Sequence, residues 1–140
     1  MEQAELEEKL ALLEQYKQLL ERMAKQDESL RAELEEHMRA RDTLQRLDQM
    51  KKGEELLVPL GANVFIYASV KNARKVINSV GSGVAVEDSV KKAIERLDDA
   101  VKVLGDAGQK LAERVQEMDG KARELAAEVD LAYQQMTHKH

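Results

Sequence analysis

The sequence predicts a mainly α-helical fold in which two long coiled-coil helices flank a small β insert. Charged residues make up 35% of the 140 residues and aromatic residues only 3%, which is typical of long helices rather than of a thick core. Apolar residues recur at heptad spacing in both halves, and a strand-like stretch separates them. We therefore divide this single domain into a first helix segment at 1–52, a β insert at 53–86 and a second helix segment at 87–140.

The first helix is predicted from about residue 3 to 51. Its apolar residues alternate at spacings of three and four, and Asp27, His37 and Arg41 interrupt the same stripe. The apolar members are Leu6, Leu10, Leu13, Tyr16, Leu20, Met23, Leu30, Leu34, Leu44 and Leu47. Gly53 is expected to cap the C-terminal end in the left-handed conformation.

The second helix is predicted from about residue 88 to 137, with apolar residues at strict four-three spacing. Only Gly108 lacks a side chain on this stripe, which comprises Val90, Ile94, Leu97, Val101, Leu104, Gly108, Leu111, Val115, Met118, Ala122, Leu125, Val129, Ala132 and Met136. Folding the chain back at the insert would pair the two stripes in an antiparallel coiled coil, with Leu13 near Val129.

Four short strands are predicted in the insert, and in series they form two β-hairpins. The predicted strands are residues 56–60, 64–70, 75–80 and 84–86. Pro59 confines the first strand to an edge or a bulge. Asn72, at the turn after Val70, fits the first hairpin, and Gly81 to Gly83 form a further turn. Residues 64–70 carry apolar side chains on both faces. A two-helix chain cannot cover them, so the insert predicts assembly with other chains.

Several classes of function are not expected. The net charge is −5 and the basic residues are interspersed with acids, which argues against nucleic acid. No apolar run approaches the roughly 20 residues that span a bilayer, so no membrane partner is expected. The chain has no cysteine, and its N-terminus is acidic and polar. These features predict a soluble cytoplasmic protein.

No catalytic, cofactor or metal site is expected either, so the chain is predicted not to be an enzyme. The Gly81 to Gly83 turn lacks the glycine-lysine-serine/threonine ending of a phosphate-binding loop. His138 and His140 have no third ligand beside them. His37 is more consistent with a polar residue that sets helix register. Carboxylates are abundant, but no pattern places a pair in a water-excluded pocket.

Two stretches of the insert resemble a known family. GEELLVPLGANVFIYASV at 53–70, followed by VGSGVAVE at 80–87, resembles the paired signatures of the prefoldin alpha-type subunit. In that family an ELLVPL strand follows the first helix and a V-G-x-G turn leads into the second. Ala85 departs from the pattern, since many relatives carry an aromatic residue there.

The resemblance implies an oligomeric β-barrel, built from the hairpins of two alpha-type and four beta-type subunits, from which six coiled coils project. It also implies an ATP-independent holdase that captures unfolded client polypeptides at the coiled-coil tips and passes them to a group II chaperonin. No cofactor is implied.

Two sets of residues are predicted to carry these roles. The client-binding set lies near the chain ends, where apolar residues exceed what the stripes need: Leu6, Leu10, Leu13, Val129, Leu131, Ala132, Tyr133 and Met136. The oligomerisation set lies in the insert: Leu57, Val58, Leu60, Val64, Phe65, Ile66, Tyr67, Val76, Ile77, Val80, Val84 and Val86.

Two structural alternatives remain open at this point. One is a self-assembling coiled-coil filament or tether that uses the same hairpin module. The other is a dimeric scaffold of parallel chains, in which residues 13 and 129 would lie far apart.

Overall fold

The computed structural model describes residues 2–138, without the side chain of His138. The elements, in chain order, are α1 (Gln3–Asp48), β1 (Glu55–Gly61), β2 (Val64–Ser69), β3 (Lys75–Gly81), β4 (Val84–Ser89) and α2 (Val90–His138). They form two compact units. The terminal unit joins the described residues up to 33 with those from 104 onward, and the hairpin unit comprises residues 34–103. Neither helix, over its described residues, has an apolar stretch that could cross a membrane.

In the terminal unit the two helices run antiparallel within one chain. Leu6, Val129 and Ala132 are buried together, and Leu10 packs against them. Beside this cluster, the Lys9 ammonium lies 2.7 Å from a carboxylate oxygen of Glu128. This pairing within one chain contradicts the parallel dimeric scaffold.

The helix register in the terminal unit differs from the predicted one. Val129 packs with Leu6, about two helical turns before the Leu13 that was predicted to lie near it, and Leu10 packs against the same cluster. The spacing of a stripe shows which residues face the partner helix. It does not fix how far one helix slides along the other.

In the hairpin unit, α1 ends at Asp48, three residues before its predicted end. The guanidinium of Arg74 donates a 2.6 Å hydrogen bond to the Asp48 carbonyl and lies 3.5 Å from its carboxylate. A cation at this end also suits the helix dipole. The prediction that Gly53 caps α1 is wrong. Gly53 does have a positive φ of 88°, but its amide donates to the Val70 carbonyl at 2.7 Å and so begins the β region.

Each hairpin is a separate two-stranded antiparallel sheet, β1 with β2 and β3 with β4. Ala62 and Asn63 form the first turn, with φ of 51° and 62°, and Ser82 and Gly83 form the second, with φ of 53° and 75°. Positive φ at both central residues matches the right-handed twist of the flanking strands. The assignment of Asn72 to the first turn is therefore wrong. Asn72 lies between the hairpins, where its side chain accepts a hydrogen bond from a backbone amide two residues on.

The two hairpins repeat one another at an offset of twenty residues, a repeat that was not among the predictions from the sequence. Both registers shift just before the turn, so that Leu60 and Val80 are the extra residues of matching β-bulges. Val70 and Val90, which follow the two hairpins, are both buried. The amide of each valine donates a 2.9 Å hydrogen bond to the carbonyl just before its own hairpin.

A carboxylate network joins the second hairpin to α2. Ser89 caps the helix by accepting a 3.2 Å hydrogen bond from the Lys92 amide. The Asp88 carboxylate is largely covered; it accepts from the Ser89 amide at 3.0 Å and from the Asn78 side chain at 3.4 Å, and it lies 2.7 Å from the Arg96 guanidinium. These contacts fix the direction in which α2 leaves the sheet.

The first turn yields a prediction about the stability of the β1–β2 hairpin. Replacing Ala62 with glycine removes about 1–2 kcal/mol of left-handed backbone strain. The greater backbone entropy of glycine in the unfolded chain offsets about 0.5–1 kcal/mol of this gain. Ala62→Gly should therefore slow hydrogen exchange of the amides paired between β1 and β2. Ala85→Gly, in the extended β4, is the matched control and should speed exchange in β3–β4. The same direction of change in both variants would contradict this account.

Candidate functional site

Most of the predicted oligomerisation residues are exposed in the isolated chain. Eleven of the twelve are exposed large apolar residues, from Val58 at 36% to Tyr67 at 76%, and Val76 is half-buried. We call these twelve residues the hairpin surface. Monomeric proteins rarely leave so much contiguous apolar area in water, so this surface is suited to contact with other chains.

The register of the first hairpin shows why both of its faces are apolar. Directly opposed residues of an antiparallel pair share a face. Leu57 lies opposite Tyr67, and Val58 lies opposite Ile66. Because neighbouring residues point to opposite faces, the first pair lies on one face and the second on the other.

The second hairpin is more polar than the first. Ile77 lies opposite Glu87, and Asn78 lies opposite Val86. Glu87 also forms a 3.1 Å ion pair with Lys75 across the two strands. The first hairpin therefore supplies most of the apolar area, a difference that the strand pattern alone did not reveal.

The predicted client-binding residues fall into three groups in the terminal unit. Three of them are buried between the helices: Leu6 (5% exposed), Val129 (5%) and Ala132 (3%). Leu10 and Leu13 are half-buried. Three remain accessible: Leu131 (56%), Tyr133 (49%) and Met136 (37%). We call these last three the tip residues. They are the members of the set that a client could contact without parting the helices.

The tip residues do not form one continuous stripe. Tyr133 and Met136 each follow a buried residue, Val129 and Ala132 respectively, by four positions, so they lie beside the helix–helix seam. Leu131 projects about 160° away from Tyr133 around the helix. A client that contacted all three would have to wrap around the end of α2.

Over the described residues, no group of three or more histidine, aspartate or glutamate side chains is arranged to hold a metal ion. His140 and the side chain of His138 lie outside those residues. The stretch from Gly81 to Gly83 closes the second hairpin and continues into a strand, whereas a phosphate-binding loop opens a helix.

Comparison with known proteins identifies the family. The model for the prefoldin subunit family matches residues 16–135. The prefoldin alpha subunit of Archaeoglobus fulgidus is 29% identical over 125 residues, which are 89% of this chain and 91% of the relative. Further curated alpha subunits also match most of the chain.

Two solved structures share the fold. Filamentous PFD from Methanocaldococcus jannaschii, solved by cryo-EM, superposes with a TM-score of 0.67 at 25% identity, covering 82% of this chain and 95% of that one. The prefoldin beta subunit from Thermococcus strain KS-1 superposes with a TM-score of 0.61 at 19% identity, covering 91% of each chain.

The chain belongs to the prefoldin family. The curated relatives named above are alpha subunits, and this chain is a prefoldin subunit of the alpha type. The predicted fold, two long antiparallel helices joined by two β-hairpins, is confirmed. Prefoldins are non-enzymatic chaperones, so this membership also confirms the prediction of a chaperone component that is not an enzyme. The roles of the hairpin surface and of the tip residues stay predictions.

Near the chain ends some apolar side chains are buried and others exposed, so replacing them with alanine should lower the free energy of unfolding by different amounts. Leu6→Ala removes a buried side chain from the cluster with Val129 and Ala132, and should lower the free energy of unfolding by about 2 kcal/mol or more. Leu131→Ala, at an exposed position, should change it by less than about 0.5 kcal/mol. Chemical denaturation followed by circular dichroism measures both. Equal losses in the two variants would contradict the packing described for the terminal unit.

Proposed function

We propose that the chain is the alpha-type subunit of an ATP-independent holdase, which assembles through the hairpin surface and binds unfolded polypeptides through the tip residues. The observation that carries this proposal is the distribution of exposed apolar side chains. They are concentrated on the hairpins and near the chain ends, which belong to different compact units. Assembly and client binding can therefore use separate surfaces.

The assembly partners we propose are beta-type subunits, in a hexamer of two alpha-type and four beta-type chains whose hairpins form a β-barrel. Full burial of each large apolar side chain of the hairpin surface would contribute roughly 1.5–3 kcal/mol. The unpaired edges of two separate two-stranded sheets favour the same outcome, because an isolated hairpin is marginal in water. The shared fold of a prefoldin beta subunit supports a related partner.

The clients we propose are unfolded polypeptides that expose apolar segments. Tyr133 and Met136 offer adaptable apolar contacts next to a helix seam, and Leu131 offers a further contact on another side of α2. A surface without an enclosing pocket selects for apolar character rather than for one shape. The proposed recipient of the client is a group II chaperonin. The proposed compartment is the cytoplasm, because a chain without cysteine forms no disulfide and so does not depend on an oxidising environment.

The client-binding proposal is tested by changing the tip residues to serine, in a variant with Leu131→Ser, Tyr133→Ser and Met136→Ser. Removing three contacts of about 1 kcal/mol each should weaken client binding by at least about tenfold, and suppression of client aggregation should fall accordingly. Light scattering of a denatured client diluted into the assembled complex measures this. The matched control is Met38→Ser with Val103→Ser, two exposed apolar residues of the hairpin unit, and suppression should be unchanged. Equal suppression of client aggregation by the tip variant and the unmodified protein would contradict the assignment of the tip residues to client binding.

The assembly proposal is tested by changing Val64, Phe65 and Ile66 to serine. Three large apolar side chains lost from a buried interface should weaken assembly by at least about a thousandfold. Native mass spectrometry with a beta-type subunit measures the complex, and the tip variant serves as the control that should still assemble. A hexamer that forms normally with the serine variant would show that β2 does not form the interface.

A second candidate is open-ended self-assembly into a filament or tether. The observation that favours it is the structural similarity to filamentous PFD from Methanocaldococcus jannaschii. Mass measurement with and without a beta-type partner separates the two functions. A discrete hexamer that needs the partner supports the holdase, whereas a series of growing species from this chain alone supports the filament.

A further inference from the structure

A basic crevice lies in the hairpin unit, where the connector between the two hairpins passes the end of α1. It consists of two adjoining cavities of about 640 Å³ and 490 Å³, which share Lys52, Lys71 and Asn72. The larger cavity has an aliphatic lining from Leu47, Leu56, Val70, Val76 and Ile77. Its volume falls within the range of about 300–1,000 Å³ that is usual for ligand sites.

Two of the five cations around this crevice are neutralised by carboxylates of the same unit. Arg74 lies 3.5 Å from Asp48, and Lys75 lies 3.1 Å from Glu87. The first pair lies at the end of α1, and the second bridges β3 and β4. These two cations are therefore already paired with carboxylates of the same chain.

The other three cations, Lys51, Lys52 and Lys71, are exposed and have no carboxylate partner among residues 2–138. They come from two separate segments that meet at the crevice. The whole chain has a net charge of −5, so this local excess of positive charge is opposite in sign to the rest of the molecule. Like charges held close together repel, and a bound anionic group would relieve that repulsion.

We propose that the basic crevice binds an acidic polypeptide segment that also carries apolar side chains. Carboxylates of such a segment would lie against the three lysines, while an apolar side chain would enter the aliphatic cavity between the hairpins. No lining residue of either cavity is aromatic, so the crevice lacks the stacking surface on which nucleic acid bases are held. The larger cavity shares Val76 and Ile77 with the hairpin surface, and none of the tip residues lines either cavity.

The test uses the full chain and a short fluorescein-labelled peptide of alternating glutamate and leucine, with binding followed by fluorescence anisotropy. The variant is Lys51→Gln, Lys52→Gln and Lys71→Gln together. Its affinity for the peptide should fall by at least about tenfold, because three favourable charge interactions are lost. Binding to the unmodified chain should also weaken as the salt concentration rises to about 0.5 M, where exposed charges are screened.

The matched control is Lys17→Gln, Lys91→Gln and Lys102→Gln, three exposed lysines outside the crevice. It has the same net charge as the crevice variant and should bind the peptide within about twofold of the unmodified chain. Circular dichroism checks that both variants are folded. If the triple crevice variant is unfolded, the three single lysine variants are used in its place.

Two further probes separate the proposed ligand from other anions. A peptide of alternating glutamate and serine should bind more weakly than the leucine peptide, because it cannot fill the aliphatic cavity. The affinity for a single-stranded oligonucleotide should not fall more in the crevice variant than in the control variant. Equal losses in the two lysine variants, or an oligonucleotide that binds more tightly than the peptide through the same lysines, would overturn the proposal.

Discussion

The structure depends on one constraint: a two-stranded hairpin with apolar side chains on both faces cannot be covered by its own chain. In the first hairpin, Leu57 and Tyr67 occupy one face and Val58 and Ile66 the other. A helix laid against one face would leave the second in water. The chain places its two long helices elsewhere, against each other, and leaves the hairpins accessible. Monomeric proteins rarely leave so large an apolar area in water, which supports the assembly role proposed for the hairpin surface.

The fold could be predicted because its signals are periodic. Heptad spacing over most of the chain identified two helices. Their stripes identified the residues that face the partner helix, and the polar Asp27, His37 and Arg41 on the stripe of α1 are half-buried. Arg41 forms a 3.2 Å ion pair with Asp98 of α2, which explains how a cation is accommodated in an apolar stripe. The alternation of residues 64–70 likewise identified a strand.

Two of the features that the sequence did not predict depend on contacts between distant segments. Arg74 caps α1 across the β region, so no local pattern near Asp48 could show where the helix ends. The first turn was missed because Ala62 is not a usual residue at positive φ. The division of the client-binding set into buried and exposed members depends on the helix register, which the stripes alone leave free. The hairpin repeat is visible in the sequence as matching residues twenty positions apart, such as Gly61 and Gly81 or Val64 and Val84.

That repeat includes the residues at which each hairpin ends. Ser69 and Val70 close the first copy as Ser89 and Val90 close the second, and the buried alanines Ala73 and Ala93 follow each valine by three. After the first copy the chain turns at Asn72 into another hairpin, whereas after the second it continues as α2. The insert is therefore modular, because a hairpin copy added or removed in register would leave the start of α2 unchanged. Subunits with different numbers of hairpins could share the same two helices.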